Sequence, residues 1–210
     1  STGKAIALTT ATRTGYTFNG WYTAKSGGSK VGNAGASYTP EGNITLYAQW
    51  TQQRHTVAYN ANGGAGAPDS QTKYYGQNLT LSSTIPTRNL FTFVNWNTKA
   101  DGTGTSYSPG QTYTSNQNGG TVTLYAIWRR KYAYVTGLNP GNVLYINSVP
   151  ASGNVIGRLG NGDKVEIYGE DGNWWYVYAN SRAYDPGGVS DDFVGYMYGY
   201  VYKDFITAPQ

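Results

Sequence analysis

The residues that usually carry chemistry are scarce in this sequence. His55 is the single histidine and there is no cysteine. A Ser-His-Asp arrangement would have to use that one imidazole, and a zinc ion would lack its usual ligands. Nothing near His55 suggests an activated nucleophile; a strand-edge or surface position is expected for it. The acids fall mostly in turns, as in Glu170-Asp171 and Asp191-Asp192, which turn chemistry explains more simply than carboxylates paired across a cleft. Asp185-Pro186-Gly187-Gly188-Val189-Ser190-Asp191-Asp192 lacks the spacing of a calcium loop. No glycine-rich loop follows a strand and opens a helix. No catalytic residue, metal or cofactor is expected.

The aromatic side chains are more suggestive. Tyr145, Trp174, Trp175, Tyr176, Tyr178, Tyr184, Tyr196, Tyr198, Tyr200 and Tyr202 crowd the last third of the chain. Trp174, Tyr176 and Tyr178 share one face of a predicted strand, and Trp175 and Val177 share the other. Alternation cannot bury them all. Exposed rings bind peptides or the faces of sugars at little entropic cost. The candidate ligand-binding residues are Tyr145, Trp174, Tyr176, Tyr184, Tyr196 and Tyr198. The competing reading is that the segment near 179–198 packs over these rings as a second small core.

The elements that must position these rings are strands. Among 210 residues there are 29 Gly and 21 Tyr, with one Met. Aromatic and β-branched residues separated by Gly and Asn favour strands and turns, and no useful 3.6-residue periodicity appears. The length suits two or three modules. No apolar run approaches a membrane span. Residues 1–130 carry ten Lys/Arg against three acids, whereas residues 131–210 carry five against eight. Charge so divided points to different partners for the two parts. With no basic helix, zinc knuckle or single-strand stacking motif, nucleic acid is not among them.

An internal repeat organises the first part. Gly15-Tyr16-Thr17-Phe18-Asn19-Gly20-Trp21 returns as Leu90-Phe91-Thr92-Phe93-Val94-Asn95-Trp96, and Ile44-Thr45-Leu46-Tyr47-Ala48-Gln49-Trp50 returns as Val122-Thr123-Leu124-Tyr125-Ala126-Ile127-Trp128. Trp21 and Trp96 each break the strand's phase by one residue, which predicts a bulge near Asn19-Gly20 and at its counterpart. Asn62-Gly63-Gly64 predicts a turn with positive φ. The first copy begins in mid-unit, because residues 3–8 align with 76–81, so it lacks the strand and turn that residues 55–75 supply to the second. A piece of a longer protein is expected, with an open sheet edge in the first copy and strand-mediated self-association through it.

These motifs, together with Asn60-Ala61-Asn62-Gly63-Gly64 and Pro86-Thr87-Arg88, resemble the Listeria–Bacteroides (internalin B-type) surface repeat. The resemblance covers roughly residues 1–128 and implies small β-grasp-like modules that space and display their neighbours on a bacterial surface. After a short basic joint, Arg129-Arg130-Lys131, residues 133–207 resemble a bacterial SH3 domain. Its motifs are Leu144-Tyr145-Ile146-Asn147-Ser148-Val149-Pro150, Val155-Ile156-Gly157-Arg158-Leu159, and Gly199-Tyr200-Val201-Tyr202. Tyr145 and Ser148 depart from that pattern, and an insertion near 179–198 lengthens the loop before the closing strand.

The reading is therefore all-β, with a truncated repeat over 1–50, a complete repeat over 51–130 and an SH3-like β-barrel over 131–210. The resemblances imply a non-catalytic, extracellular segment at the bacterial cell surface or cell wall. Its implied partner is peptidoglycan peptide or wall glycan, with teichoic acid or a host surface ligand as further candidates. An adhesin, or the non-catalytic tail of a larger wall hydrolase, are the alternatives.

Overall fold

Short alternating segments broken by Gly and Asn leave little chance of helix, and the chain is all-β. The computed structural model describes residues 3–182 and 193–210. Its only helical turn among them is a 3-10 segment, Lys203–Phe205. The first repeat contains β1 (Ile6–Ala7), β2 (Tyr16–Tyr22), β3 (Lys30–Gly32), β4 (Ser37–Tyr38) and β5 (Tyr47–Gln52). The second contains β6 (Arg54–Asn60), β7 (Gln71–Tyr74), β8 (Leu79–Thr80), β9 (Phe91–Asn97), β10 (Ser106–Tyr107), β11 (Thr112–Tyr113) and β12 (Thr121–Arg130).

The two copies share a plan. The first has a sheet ordered β3-β2-β5 and a two-stranded β1-β4 pair; the second has β10-β9-β12 and β8-β11 in the same roles. To these the second adds β6 and β7, giving the order β10-β9-β12-β6-β7. β6 runs parallel to β12, from Thr56 opposite Thr121 to Asn60 opposite Tyr125. Among the described residues, no strand covers the outer edge of β5.

The added strands supply core. Val57, Leu81, Trp96, Tyr113, Leu124 and Ala126 are fully buried in the second repeat, whereas Leu8 is the buried apolar side chain among the described residues of the first. The expected bulge is present in β2, where the pairing with β5 shifts register between Phe18 and Gly20. In β9, Val94 is exposed while Trp96 is buried, so the phase breaks at the same place. Asn62 and Gly63 take positive φ values of 48° and 85° in the expected turn.

His55 departs from expectation. It is buried on β6 rather than at an edge or the surface. Lys73 of β7 stands opposite it, and the Tyr113 hydroxyl lies 3.3 Å from its Nε2. Lys73 is buried as well; its Nζ donates to the Tyr74 carbonyl at 2.8 Å and to Asn116 Oδ1 at 2.9 Å. Burial lowers the pKa of both groups.

The third set of strands is β13 (Tyr132–Tyr134), β14 (Leu144–Asn147), β15 (Val155–Leu159), β16 (Lys164–Asp171), β17 (Trp174–Arg182) and β18 (Phe193–Tyr202). They form one sheet ordered β13-β16-β17-β15-β14-β18, which closes because β18 also pairs with β17. Ile146, Leu159, Val165, Ile167, Val177 and Val201 fill its interior. A Cβ at Gly199 would stand 2.3 Å from the Ile146 side chain, so glycine is what lets β14 cross close to β18. The stretch expected as an inserted loop is, at its described ends, more strand: Ala179 pairs with Met197 and Asn180 with Tyr196. The alternation of the hairpin simply continues.

Single residues join the modules. Gln53 alone separates β5 from β6, and Lys131 alone separates β12 from β13. The Gln53 N–H donates to the Gly15 carbonyl, and the Gln53 carbonyl accepts from Tyr75 N–H. The Lys131 N–H donates to the Leu90 carbonyl, and its carbonyl accepts from Ile167 N–H. Gly15 and Leu90 both hold positive φ, 77° and 60°. Leu90 packs against the interior of the closed sheet. Beside it the Arg130 guanidinium lies 4.5 Å from the Phe91 ring centre and 3.8 Å from that of Tyr168. The basic joint is thus an ordered contact built by cation–π pairing.

Each joint lies inside a compact unit: Gln53 in one that holds 1–60, 67–84 and 96–125, and Lys131 in one that holds 61–66, 85–95 and 126–210.

Candidate ligand-binding face

Strand alternation decides which rings reach the surface of the closed sheet. On β17, Val177 and Ala179 point inward, which turns Trp174, Tyr176, Tyr178 and Asn180 outward. On β18, Gly199 and Val201 are buried, and Tyr196, Tyr198, Tyr200 and Tyr202 take the other face. Register then sets ring against ring. Trp174 pairs with Tyr202, Tyr176 with Tyr200, Tyr178 with Tyr198 and Asn180 with Tyr196. On the neighbouring strands, Tyr132 pairs with Glu166 and Tyr134 with Lys164, while Glu166 faces Tyr178. A tyrosine-paved sheet surface results.

The rings pack in two ways. Tyr178 and Tyr196 stack with centres 5.1 Å apart and planes 19° apart, and Tyr176 and Tyr198 stack at 5.8 Å and 23°. Tyr168 meets Tyr198 edge-on at 5.0 Å, and Trp174 meets Tyr202 at 5.3 Å. Mutual packing of this kind fixes ring orientation before any ligand arrives. Tyr196 nonetheless stays 68 % exposed and Tyr198 45 % exposed. A side-chain hydrogen bond with Tyr168, then partial burial and the neighbouring phenols, raise the pKa of Tyr198 above the ordinary tyrosine range. Its ring is therefore uncharged at neutral pH.

Trp174, Tyr176, Tyr178, Asn180, Tyr196, Tyr198, Tyr200 and Tyr202 carry no charge. Charges enter on the neighbouring β16, where Lys164 and Glu166 stand beside the β13 tyrosines, and at Arg130 over Tyr168. A depression of about 310 Å3, bordered by Asp163, Lys164, Glu166 and Asn180, adjoins Tyr178 and Tyr196. Beyond the opposite end, a groove of about 530 Å3 is lined by Leu138, Val143, Tyr145, Trp174, Tyr202 and Phe205.

Of the six sequence candidates, Trp174, Tyr176, Tyr196 and Tyr198 come together on this face. Tyr145 lies on β14, 46 % exposed, and joins them only through the groove it shares with Trp174. Tyr184 lies outside the described residues. Tyr132, Tyr134, Tyr168, Tyr178, Tyr200 and Tyr202 belong to the same surface and were not among the candidates. The two-residue spacing of Tyr132 with Tyr134, and of 196, 198, 200 and 202, is the signal that identifies most of them.

The Listeria–Bacteroides repeat domain matches residues 1–49 and 55–127, which ends before this face. Internalin H of Listeria monocytogenes is 35 % identical over 119 residues, covering 56 % of this chain and 20 % of its own length. A protein described as a Gly-rich membrane protein in Evansella cellulosilytica is 34 % identical over 130 residues, covering 55 % of this chain and 14 % of its own length. A membrane protein of the same organism is 35 % identical over 99 residues, covering 46 % and 15 %. The chain thus spans a fifth or less of each of these relatives. No solved structure matches it. Among the described residues, no helix is long and apolar enough to cross a membrane.

Proposed function

This chain belongs to the Listeria–Bacteroides repeat family, and from that membership and the tyrosine face we propose that it is a non-catalytic segment of a bacterial cell-surface protein. In this reading the repeats space and display the C-terminal domain, an SH3-like module that binds cell-wall peptide or glycan. The observation that carries it is the run of oriented, uncharged and partly exposed rings from Trp174 to Tyr196. Rings presented in this way suit sugar faces and extended peptides, and the neighbouring Asp163, Glu166 and Asn180 offer hydrogen-bond partners for hydroxyl or amide groups.

Among the basic side chains of the repeats, Lys73 is buried and Arg88 lies half-buried over Phe91, whereas Lys4, Lys25, Lys30, Arg54 and Lys99 are exposed and support an anionic wall polymer as the second reading. The outer edge of β5 supports strand-mediated self-association as an accompanying property.

Co-sedimentation with purified Gram-positive sacculi, with and without teichoic acid and at low and high salt, tests the reading. Salt-resistant binding that falls in Tyr178→Ala and Tyr196→Ala is the expected result. Binding that requires teichoic acid and vanishes in salt would transfer the role to the repeats. No binding would sink wall anchoring and leave an adhesin or a spacer.

A further inference from the structure

We propose that the second repeat is a load-bearing element, a clamp that resists tension along the chain through the parallel pair β6–β12. The inference rests on strand direction and is independent of what the tyrosine face binds.

Tension must enter this repeat at the start of β6, because only Gln53 separates it from β5, and leave at the end of β12, because only Lys131 separates it from β13. These two strands are neighbours and parallel, paired from Thr56–Thr121 to Asn60–Tyr125. Pulling the start of one and the end of the other in opposite directions makes them slide along their shared axis. The ladder bonds run across that axis, so they bear the load together. Among them, Thr56 N–H donates to the Gly120 carbonyl at 3.0 Å, and Gly119 N–H donates to the Arg54 carbonyl at 2.8 Å.

Side chains oppose the same motion. Val57 on β6 and Leu124 on β12 are fully buried. Sliding by one residue would exchange the inner and outer faces of the strand, exposing Val57 and Leu124 and burying their polar neighbours. The hairpin β17–β18 provides the contrast. It is antiparallel, so separation of its open ends would break one rung at a time. The first repeat contains no corresponding parallel pair among its described residues.

The chain has no cysteine, so pulling points can be placed freely. Arg54, Asn60 and Arg129 are exposed. In the whole chain, R54C with R129C loads β6 and β12 lengthwise, whereas N60C with R129C pulls on the same end of both strands, where Asn60 stands opposite Tyr125, and peels them apart. Attached to handles in an optical trap, the first pair is expected to rupture at a several-fold higher force than the second. Thr56→Pro in the lengthwise geometry removes one ladder donor and should lower that force. Equal forces in the two geometries, with thermal melting showing both variants folded, would overturn the clamp. So would a lengthwise force that the two-cysteine chain retains in full after Thr56→Pro.

Discussion

Replacing Leu90 tests the joint between the second repeat and the closed sheet, because glycine and alanine should rank in an unusual order there. Leu90 is half-buried against the interior of the sheet, so removing its side chain forfeits about half of a full burial, roughly 1 kcal/mol. Leu90→Ala loses that contact and keeps φ at 60°, a left-handed conformation that disfavours any side chain by about 1–2 kcal/mol. Leu90→Gly loses the same contact but relieves the strain. Against this stands the greater freedom of glycine in the unfolded chain, about 0.5–1 kcal/mol. The glycine variant should therefore be roughly 0.5–1 kcal/mol more stable than the alanine variant, reversing the usual preference. For a domain of this size that difference is about 2–8 °C in Tm. Differential scanning fluorimetry and urea titration of both variants measure it, with hydrogen exchange at Val165 and Ile167 confirming which part of the chain melts. An alanine variant as stable as the glycine variant, or more stable, would refute the account of strain at this joint.

Three further outcomes follow from other positions. A methyl group at Gly64 would stand 2.5 Å from the Trp128 ring and 2.6 Å from the Thr87 carbonyl, so Gly64→Ala should destabilise the second repeat by about 1–3 kcal/mol, readable in urea melts followed by tryptophan fluorescence. Tyr196 is largely exposed, so Tyr196→Ala should change folding stability by less than about 0.5 kcal/mol while weakening sedimentation with sacculi; equal loss of both would mean that the ring serves packing alone. Burial, opposed by a backbone contact with Gln117, holds the His55 pKa below 6.5, so the unfolded chain takes up the proton first as pH falls. The contribution of His55 is thus full above about pH 6.5 and lost below it, and thermal melts from about pH 8 to about pH 5 should show a decline that His55→Gln flattens.

Much of the fold was legible because strands write their burial at every second residue. The Trp21 phase break announced the bulge in β2, the Trp96 break returns in the burial of β9, and Asn62-Gly63 announced its turn. Pairing between distant strands left no such mark. Nothing around His55 says that Lys73 and Tyr113 will close over it. Likewise, alternation set Trp174 and Tyr176 on one face and aromatic crowding pointed to Tyr196 and Tyr198, but Tyr132 and Tyr168 join them only because β16 lies beside β17 and β13 beside β16. The family resemblance foretold a longer loop near 179–198, where the described residues extend the β17–β18 hairpin. The two-residue spacing of the tyrosines at 196, 198, 200 and 202 is the signal of that strand.

The one-residue joints have a consequence for how such proteins lengthen and diversify. Each repeat ends in a strand that passes through a single residue into whatever follows. Each also carries a carbonyl, at Gly15 or Leu90, that receives the N–H of that residue. A duplicated unit therefore brings both halves of its own connector, with no linker to be invented. The closed sheet joins the second repeat by offering Ile167 N–H where the second repeat offers Tyr75 N–H. An unrelated domain able to present one such strand edge could be grafted at the same point. Copy number and the domain that follows can thus vary independently, under a single rule of attachment.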